Sequence, residues 1–170
     1  MTPKAKPKAK AKGKKGGIQS SLPVEERGQL TDLASRVVMK ILYGARMARP
    51  DLLRATCALG SKVTKWTPQC DKELHRLIEY INSSLDYKLV GWCGDKIEDI
   101  ELALFADADF AGDITMRSTS GVLFGIHGPD TRFILQGISQ KQTAVSHSTP
   151  EAELVAADYA LRAEGLPSLE

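Results

Sequence analysis

Long apolar runs, paired cysteines and aromatic residues are all scarce in this 170-residue chain. No apolar run approaches the roughly 18 residues of a membrane span, so the sequence predicts no transmembrane helix and no membrane partner. The basic start of the chain lacks an apolar segment behind its charges, so we expect no secretory signal. Cys57, Cys70 and Cys93 form no CxxC pair and are odd in number. They predict free thiols in a reducing compartment, and the sequence leaves cytoplasm and nucleus both open.

The charge of the chain is unevenly distributed. The formal net charge is +2, but residues 4–15 hold seven of the 23 lysines and arginines and no acid. The remaining 16 basic residues face 21 acidic ones, a net charge of −5. Residues 1–17 are rich in Lys, Ala, Pro and Gly and predict a disordered tail. The tail is a candidate arm for nucleic acid, a localisation signal or a solubilising segment.

The apolar pattern of residues 18–85 predicts a unit of three helices. Apolar residues recur at helical spacing across residues 22–47. A second helix is expected to open at Pro50-Asp51, because Pro followed by an acid is typical of a first helical turn. A third is expected between Thr67-Pro68 and residues 82–84. The apolar side chains of these helices are expected to form a core.

The period changes after residue 85, and residues 86–170 predict strands followed by a helix. Segments 87–92, 101–107, 118–127 and 132–136 have strand-like patterns, and residues 144–146 are a further candidate for pairing. Thr149 is a candidate N-cap, with Pro150 at the first helical position, and residues 165–167 are expected to end the helix. The whole chain is therefore expected to be an α/β (α+β) protein, with N-terminal helices, a sheet and a C-terminal helix.

Acidic residues cluster where the strand 101–107 ends. Asp107 and Asp109 are two residues apart and would share a face of a continuing strand, and Asp113 follows. Glu151 and Glu153 open the last helix. Carboxylate oxygens are the ligands that Mg²⁺ prefers, and two such ions can support phosphodiester cleavage. The alternative is that these acids serve turns and the helix dipole.

Several blocks in this order resemble the ribonuclease H domain of copia-type retrotransposon Pol polyproteins. ADADFAGD at residues 106–113 and RSTSG at 117–121 resemble that family's SDADWAGD and RSTSG. Residues 141–156 resemble its KKQxTVxxSSTEAEYxA. Upstream, Ile41-Leu42-Tyr43, Arg49-Pro50-Asp51 and Leu85-Asp86-Tyr87 resemble the helical connector between reverse transcriptase and ribonuclease H. The resemblance covers about residues 36–163.

The resemblance implies a ribonuclease H-like fold with a mixed sheet whose central strand carries the first catalytic Asp. Residue by residue, Asp107 matches that Asp and Glu153 matches the catalytic Glu of the first helix. Both would be catalytic and would hold Mg²⁺ in a two-metal site. Asp109 would lie near the site, and Glu151 would be a first-turn acid. Ser118, Thr119, Ser120 and Lys141 are candidates for contact with the phosphates of an RNA–DNA hybrid, or alternatively for structural roles.

The departures from the family pattern predict an incomplete site. The motif carrying the third catalytic Asp has no match, the fourth Asp is missing too, and no YxDD motif of a polymerase is present. The first hypothesis is therefore an RNA–DNA hybrid ribonuclease fragment of a Pol polyprotein, inactive alone, whose partner is the remainder of that polyprotein. The second is a non-catalytic remnant that binds nucleic acid through its basic tail, and the third is a degenerate product without function. The domains would be a tail at 1–17, a connector at 18–85 and a truncated ribonuclease H-like domain at 86–170. We expect one strand edge and one sheet face of the truncated domain to be uncovered, and the monomer to be marginally stable or aggregation-prone.

Overall fold

A computed structural model describes residues 21–23, 26–112 and 115–169. The predicted disordered tail and Asp113 lie outside these residues. The described protein combines four α-helices with a four-stranded sheet, as the sequence predicts. In chain order, the elements are α1 (Thr31–Met47), α2 (Leu53–Gly60), α3 (Pro68–Ser83), β1 (Trp92–Cys93), β2 (Glu101–Asp109), β3 (Thr119–Gly128), β4 (Thr131–Lys141) and α4 (Thr149–Ala160).

The three predicted N-terminal helices are present and share one core. Trp66, Leu74 and Val38 are its largest fully buried apolar side chains. A turn of 3₁₀ helix, Pro50–Leu52, precedes α2, so Pro50-Asp51 does open this helical segment. The first helix begins at Thr31 and not near residue 22. The backbone before it is bound to the α3 region instead: Gly28 N donates to the Trp66 carbonyl at 3.1 Å.

The sheet has the strand order β1-β4-β3-β2, and every pair of described strands is antiparallel. The resemblance implied a mixed sheet with the Asp107 strand at its centre. In the described protein β2 instead lies at the edge. A parallel neighbour would need a strand reached by a crossover connection, and no described strand follows α4.

Two short segments differ from their predicted strand structure. Of the predicted strand 87–92, only Trp92 pairs with the sheet, together with Cys93 that follows it. The residues before Trp92 do not pair with the sheet. Tyr87 instead lies against Arg49, whose guanidinium carbon is 5.6 Å from the centroid of the Tyr87 ring. Residues 144–146 also form no strand, because Ser146 turns its hydroxyl inward to the side-chain oxygen of Gln142 at 3.2 Å.

Both ends of the last helix differ from the prediction. Ser148 is the N-cap in place of Thr149, because its extended backbone lets its Oγ accept from the Glu151 N–H at 3.3 Å. Pro150 therefore occupies the second helical position. Gly165-Leu166-Pro167 does not end the helical segment, which continues as a π-helix over Leu161–Gly165 and a 3₁₀ turn over Leu166–Leu169.

Helices cover both faces of the sheet. Ala108 of β2 forms a buried cluster with Ala152 and Ala156 of α4 on one face. On the other face, α2 lies over β4 so closely that a Cβ on Gly137 would sit 3.0 Å from Leu53 Cδ1. Glycine at this position thus lets α2 approach the sheet. The residues of greatest functional interest lie at the end of β2, between these two helices.

Candidate functional site

Asp107 and Asp109 lie on the face of the sheet that α2 covers. Side chains alternate along β2, and the buried Ala108 between them points to the α4 face. The two carboxylates therefore share a face, as their spacing predicts. Asp109 accepts a hydrogen bond from Arg54 of α2 at 2.6 Å. Asp107 is exposed and lines a cavity of about 450 Å³ between α2 and the sheet.

Glu153 belongs to α4, which packs on the opposite face of the sheet. It directly follows Ala152, whose side chain is fully buried against Ala108. Asp107 and Glu153, the predicted catalytic pair, are therefore each next in sequence to one alanine of the Ala108–Ala152 contact. The Asp107 side chain, however, lies on the α2 face of the sheet, whereas Glu153 belongs to the helix on the opposite face. Glu151 caps the helix start: its Oε2 accepts from the His147 N–H at 2.7 Å. This agrees with the prediction that Glu151 is a first-turn acid.

A metal site needs several of these donors together. Within residues 21–23, 26–112 and 115–169, no group of three or more His, Cys, Asp or Glu side chains is placed to hold a metal ion. The described residues on their own therefore do not fit a complete magnesium site.

The hydroxyl residues that follow the acidic cluster are largely buried. Ser118 is fully buried, and its Oγ accepts from the Ala111 N–H at 3.2 Å. Ala111 has a φ of +49°, so this hydrogen bond stabilises a left-handed turn next to Asp109. Thr119 and Ser120 are also buried. For Ser118 and Ser120, burial favours the structural alternative that the sequence left open. Lys141 pairs with Thr119 in the β3–β4 register and is partly exposed.

Gln142 connects the sheet to α4 at the centre of this region. Its buried amide nitrogen donates to Ser120 Oγ at 3.1 Å and to the Ala152 carbonyl at 2.9 Å. Its amide oxygen accepts from Ser146, and its backbone N–H donates to the Ser118 carbonyl. Sequence reasoning did not single out Gln142, although the residue lies inside one of the family blocks. The network holds the residue before Glu153 at a fixed position relative to β3.

Arg49 joins the ends of α1 and α3. Its guanidinium binds Asp51 at 2.8 Å and donates to the carbonyl and hydroxyl oxygens of the buried Ser84. It also lies over the rings of Tyr80 and Tyr87. Hydrogen bonding to Arg49 lowers the pKa of Asp51, and hydrogen bonding to Asp51 raises the pKa of Tyr80. Arg49-Pro50-Asp51 and Leu85-Asp86-Tyr87, two of the segments that resemble the family's helical connector, thus meet in one polar cluster.

None of the helices within the described ranges combines the length and apolar character needed to cross a bilayer.

Comparison with known proteins adds a relationship to this geometry. Secreted RxLR effector protein 161 of Plasmopara viticola is 32% identical over 117 residues, which are 68% of this chain and 78% of that protein. The retrovirus-related Pol polyprotein from transposon TNT 1-94 of Nicotiana tabacum is 33% identical over 140 residues. These are 79% of this chain, but the match spans only 10% of the polyprotein's length. No protein-family model and no solved structure matches the chain significantly.

Proposed function

This chain belongs to the same family as Secreted RxLR effector protein 161 and is related to a fragment of a retrotransposon Pol polyprotein; from this premise we propose that it represents the ribonuclease H region of a copia-type element. Its substrate would be an RNA–DNA hybrid. The 2′-hydroxyls of the RNA strand distinguish such a hybrid from duplex DNA.

One packing contact carries this proposal. Ala108 follows Asp107 on β2, Ala152 precedes Glu153 on α4, and the two alanines meet in a buried cluster. Asp107 and Glu153, which are 46 positions apart in the sequence, are thus held on either side of one contact. The Gln142 hydrogen bond to the Ala152 carbonyl supports the same arrangement.

The proposed division of labour follows from what each side chain offers. Asp107 and Glu153 would supply carboxylate oxygens, and Lys141, with Thr119 beside it, would contact phosphate. Ser118 would hold the turn that follows β2. Magnesium would supply Lewis-acid chemistry, but the described residues do not by themselves form a site for it. We therefore propose hydrolysis only for an assembly that adds further carboxylates, and no metal-bound step is assigned to this chain alone.

A cleavage assay tests the nuclease part of the proposal. A labelled RNA–DNA hybrid is incubated with the full chain, with Mg²⁺ or with a chelator. We expect no cleavage, because the sequence supplies two of the four carboxylates that the resemblance requires. The contrary result is Mg²⁺-dependent cleavage that Asp107→Asn abolishes and the exposed control Asp86→Asn retains. It would show that the chain itself completes the site, and would contradict the prediction of an incomplete site.

The second candidate function is nucleic-acid binding through the basic tail without hydrolysis. Seven lysines within residues 4–15 favour it, because each lysine that neutralises a phosphate releases a counterion. Deleting residues 1–17 would then abolish a salt-sensitive affinity for nucleic acid. Affinity that persists unchanged without the tail would exclude this candidate and leave binding to the sheet and helices.

A further inference from the structure

A second, smaller cavity opens where the end of α2 meets β3 and β4. Its volume is about 170 Å³. The side chains that matter for its chemistry are three cationic ones and three hydroxyls, namely Arg54, Lys62, Lys141, Ser61, Thr119 and Ser139. Three of these side chains come from α2 and the two residues after it, and three come from β3 and β4.

The charge of this lining is of one sign. No Asp or Glu lines the cavity among the described residues. Arg54 and Lys62 have acidic partners, Asp109 at 2.6 Å and Glu73 at 2.9 Å, that are not part of the lining. The Arg54–Asp109 pair is solvent-exposed and the Lys62–Glu73 pair is partly buried, and ion pairs near the surface are weak. An anion in the cavity would therefore compete with these carboxylates at small cost.

One hydroxyl of the lining has an unused hydrogen-bonding capacity. Ser139 Oγ is buried and has no hydrogen-bond partner within the described part of the chain. A buried hydroxyl is unfavourable unless it finds a partner. A rotation of the Ser139 side chain towards the cavity would let an acceptor oxygen of a ligand take this hydrogen.

The size of the cavity favours a small ligand. Its volume is less than half that of the cavity beside Asp107. A phosphate group has five heavy atoms, whereas a complete nucleotide is several times larger. Cations, hydroxyl donors and this size together fit a single tetrahedral oxyanion.

We propose that this cavity binds one phosphate group, with Arg54, Lys62 and Lys141 as its cationic contacts and Ser139 as a hydroxyl donor. The group is either a free phosphate or one phosphate of a nucleic-acid backbone. Because Thr119 and Lys141 also belong to the proposed nucleic-acid contacts, this inference rests in that part on the proposed function. The contribution of Arg54 in α2, and of Lys62 just after this helix, is independent of it.

The test follows backbone amide signals of the ¹⁵N-labelled full chain by NMR. In the first arm, inorganic phosphate is titrated at constant ionic strength against a chloride reference. We expect saturable shifts of the Thr119 and Ser139 amides. Arg54→Gln and Lys141→Gln should each weaken the apparent affinity roughly tenfold, and Ser139→Ala should weaken it less. The exposed control Lys40→Gln should leave it unchanged, and thermal melts confirm that each variant is folded.

In the second arm, an RNA–DNA hybrid replaces phosphate. Shifts of the same amides, with competition by phosphate, support the cavity and identify nucleic acid as the source of the phosphate. Phosphate shifts without hybrid shifts support the cavity and identify a small ligand. Absent or non-saturable phosphate shifts, or equal weakening in Lys40→Gln, overturn the proposal. Hybrid shifts at other amides in that case would leave the proposed function intact.

Discussion

Gln142 donates a hydrogen bond from its buried amide to the carbonyl oxygen of Ala152, 2.9 Å away. The same amide nitrogen binds Ser120, which pairs with Ala108 across the β2–β3 ladder. One side chain therefore fixes α4 against β3, the neighbour of the strand that bears Asp107 and Asp109. The position of α4 relative to β3 therefore depends on this buried polar group.

Replacing Gln142 should destabilise the protein measurably. Gln142→Leu removes these hydrogen bonds and leaves Ser120 and Ser146 hydroxyls without a buried partner, at a cost of about 1–3 kcal/mol. Urea unfolding measures the loss. Gln140→Leu is the matched control, because Gln140 is exposed near the end of β4, two residues before Gln142. Equal losses for the two variants would contradict the assigned role of Gln142.

Asp71 should be a second point of sensitivity, in the helical half. Its carboxylate accepts from the Gln29 and Leu30 N–H groups and from the indole of the fully buried Trp66 at 2.7 Å. Asp71→Asn exchanges one acceptor oxygen for a donor, which we expect to cost about 1–3 kcal/mol.

Tryptophan fluorescence during unfolding is the appropriate probe for Asp71→Asn. Glu79→Gln on the exposed side of the same helix is the control, and we expect it to change the free energy of unfolding by less than about 0.5 kcal/mol. An unchanged transition in Asp71→Asn would show that the three hydrogen bonds contribute little to stability.

The Arg49 cluster should make stability depend on acid pH. Hydrogen bonds from Arg49 hold the pKa of Asp51 below its ordinary value of 3.8. A carboxylate with a lowered pKa stabilises the folded state above the unfolded pKa, and this contribution is lost as the pH falls through the folded value. The difference in unfolding free energy between the wild type and Asp51→Asn should therefore be full above about pH 5 and shrink below pH 4. A difference that stays constant down to the most acid pH measured would contradict this.

The three cysteines should react in the order of their exposure. Cys93 is exposed and should react first with a maleimide. Burial raises the pKa of the Cys57 thiol, only partly opposed by Arg46 and Arg54, so its reactive thiolate is scarce. Cys70 is buried and should react only when α3 opens, at least roughly tenfold more slowly than Cys93. In the Cys93→Ser variant, mass spectrometry measures the labelling of Cys57 and Cys70 alone. Labelling of Cys70 as fast as Cys93 in the wild type would contradict the described core.

The sequence predicted those features whose causes are local. The stripe of α3 and the Pro68 start determine a helix on their own, and the alternation of β2 already places Asp107 and Asp109 on one face. The structure of residues 87–91 could not be predicted from local pattern. Their alternating pattern is typical of a strand, but Tyr87 stacks on Arg49, which is 38 positions earlier in the chain. Likewise, neither the ion pair of Arg54 with Asp109 nor the reach of Gln142 to α4 leaves a periodic signal.

We propose that this fold recognises RNA–DNA hybrids, and a competition experiment tests that proposal. The full chain and the chain without residues 1–17 are each bound to a labelled hybrid at fixed salt. Unlabelled hybrid or duplex DNA of the same sequence is then added. We predict that the hybrid competes more strongly than duplex DNA in both proteins, and that Lys141→Gln weakens hybrid binding while Lys40→Gln does not. Equal competition by the two duplexes, or binding that disappears with the tail, would contradict the account.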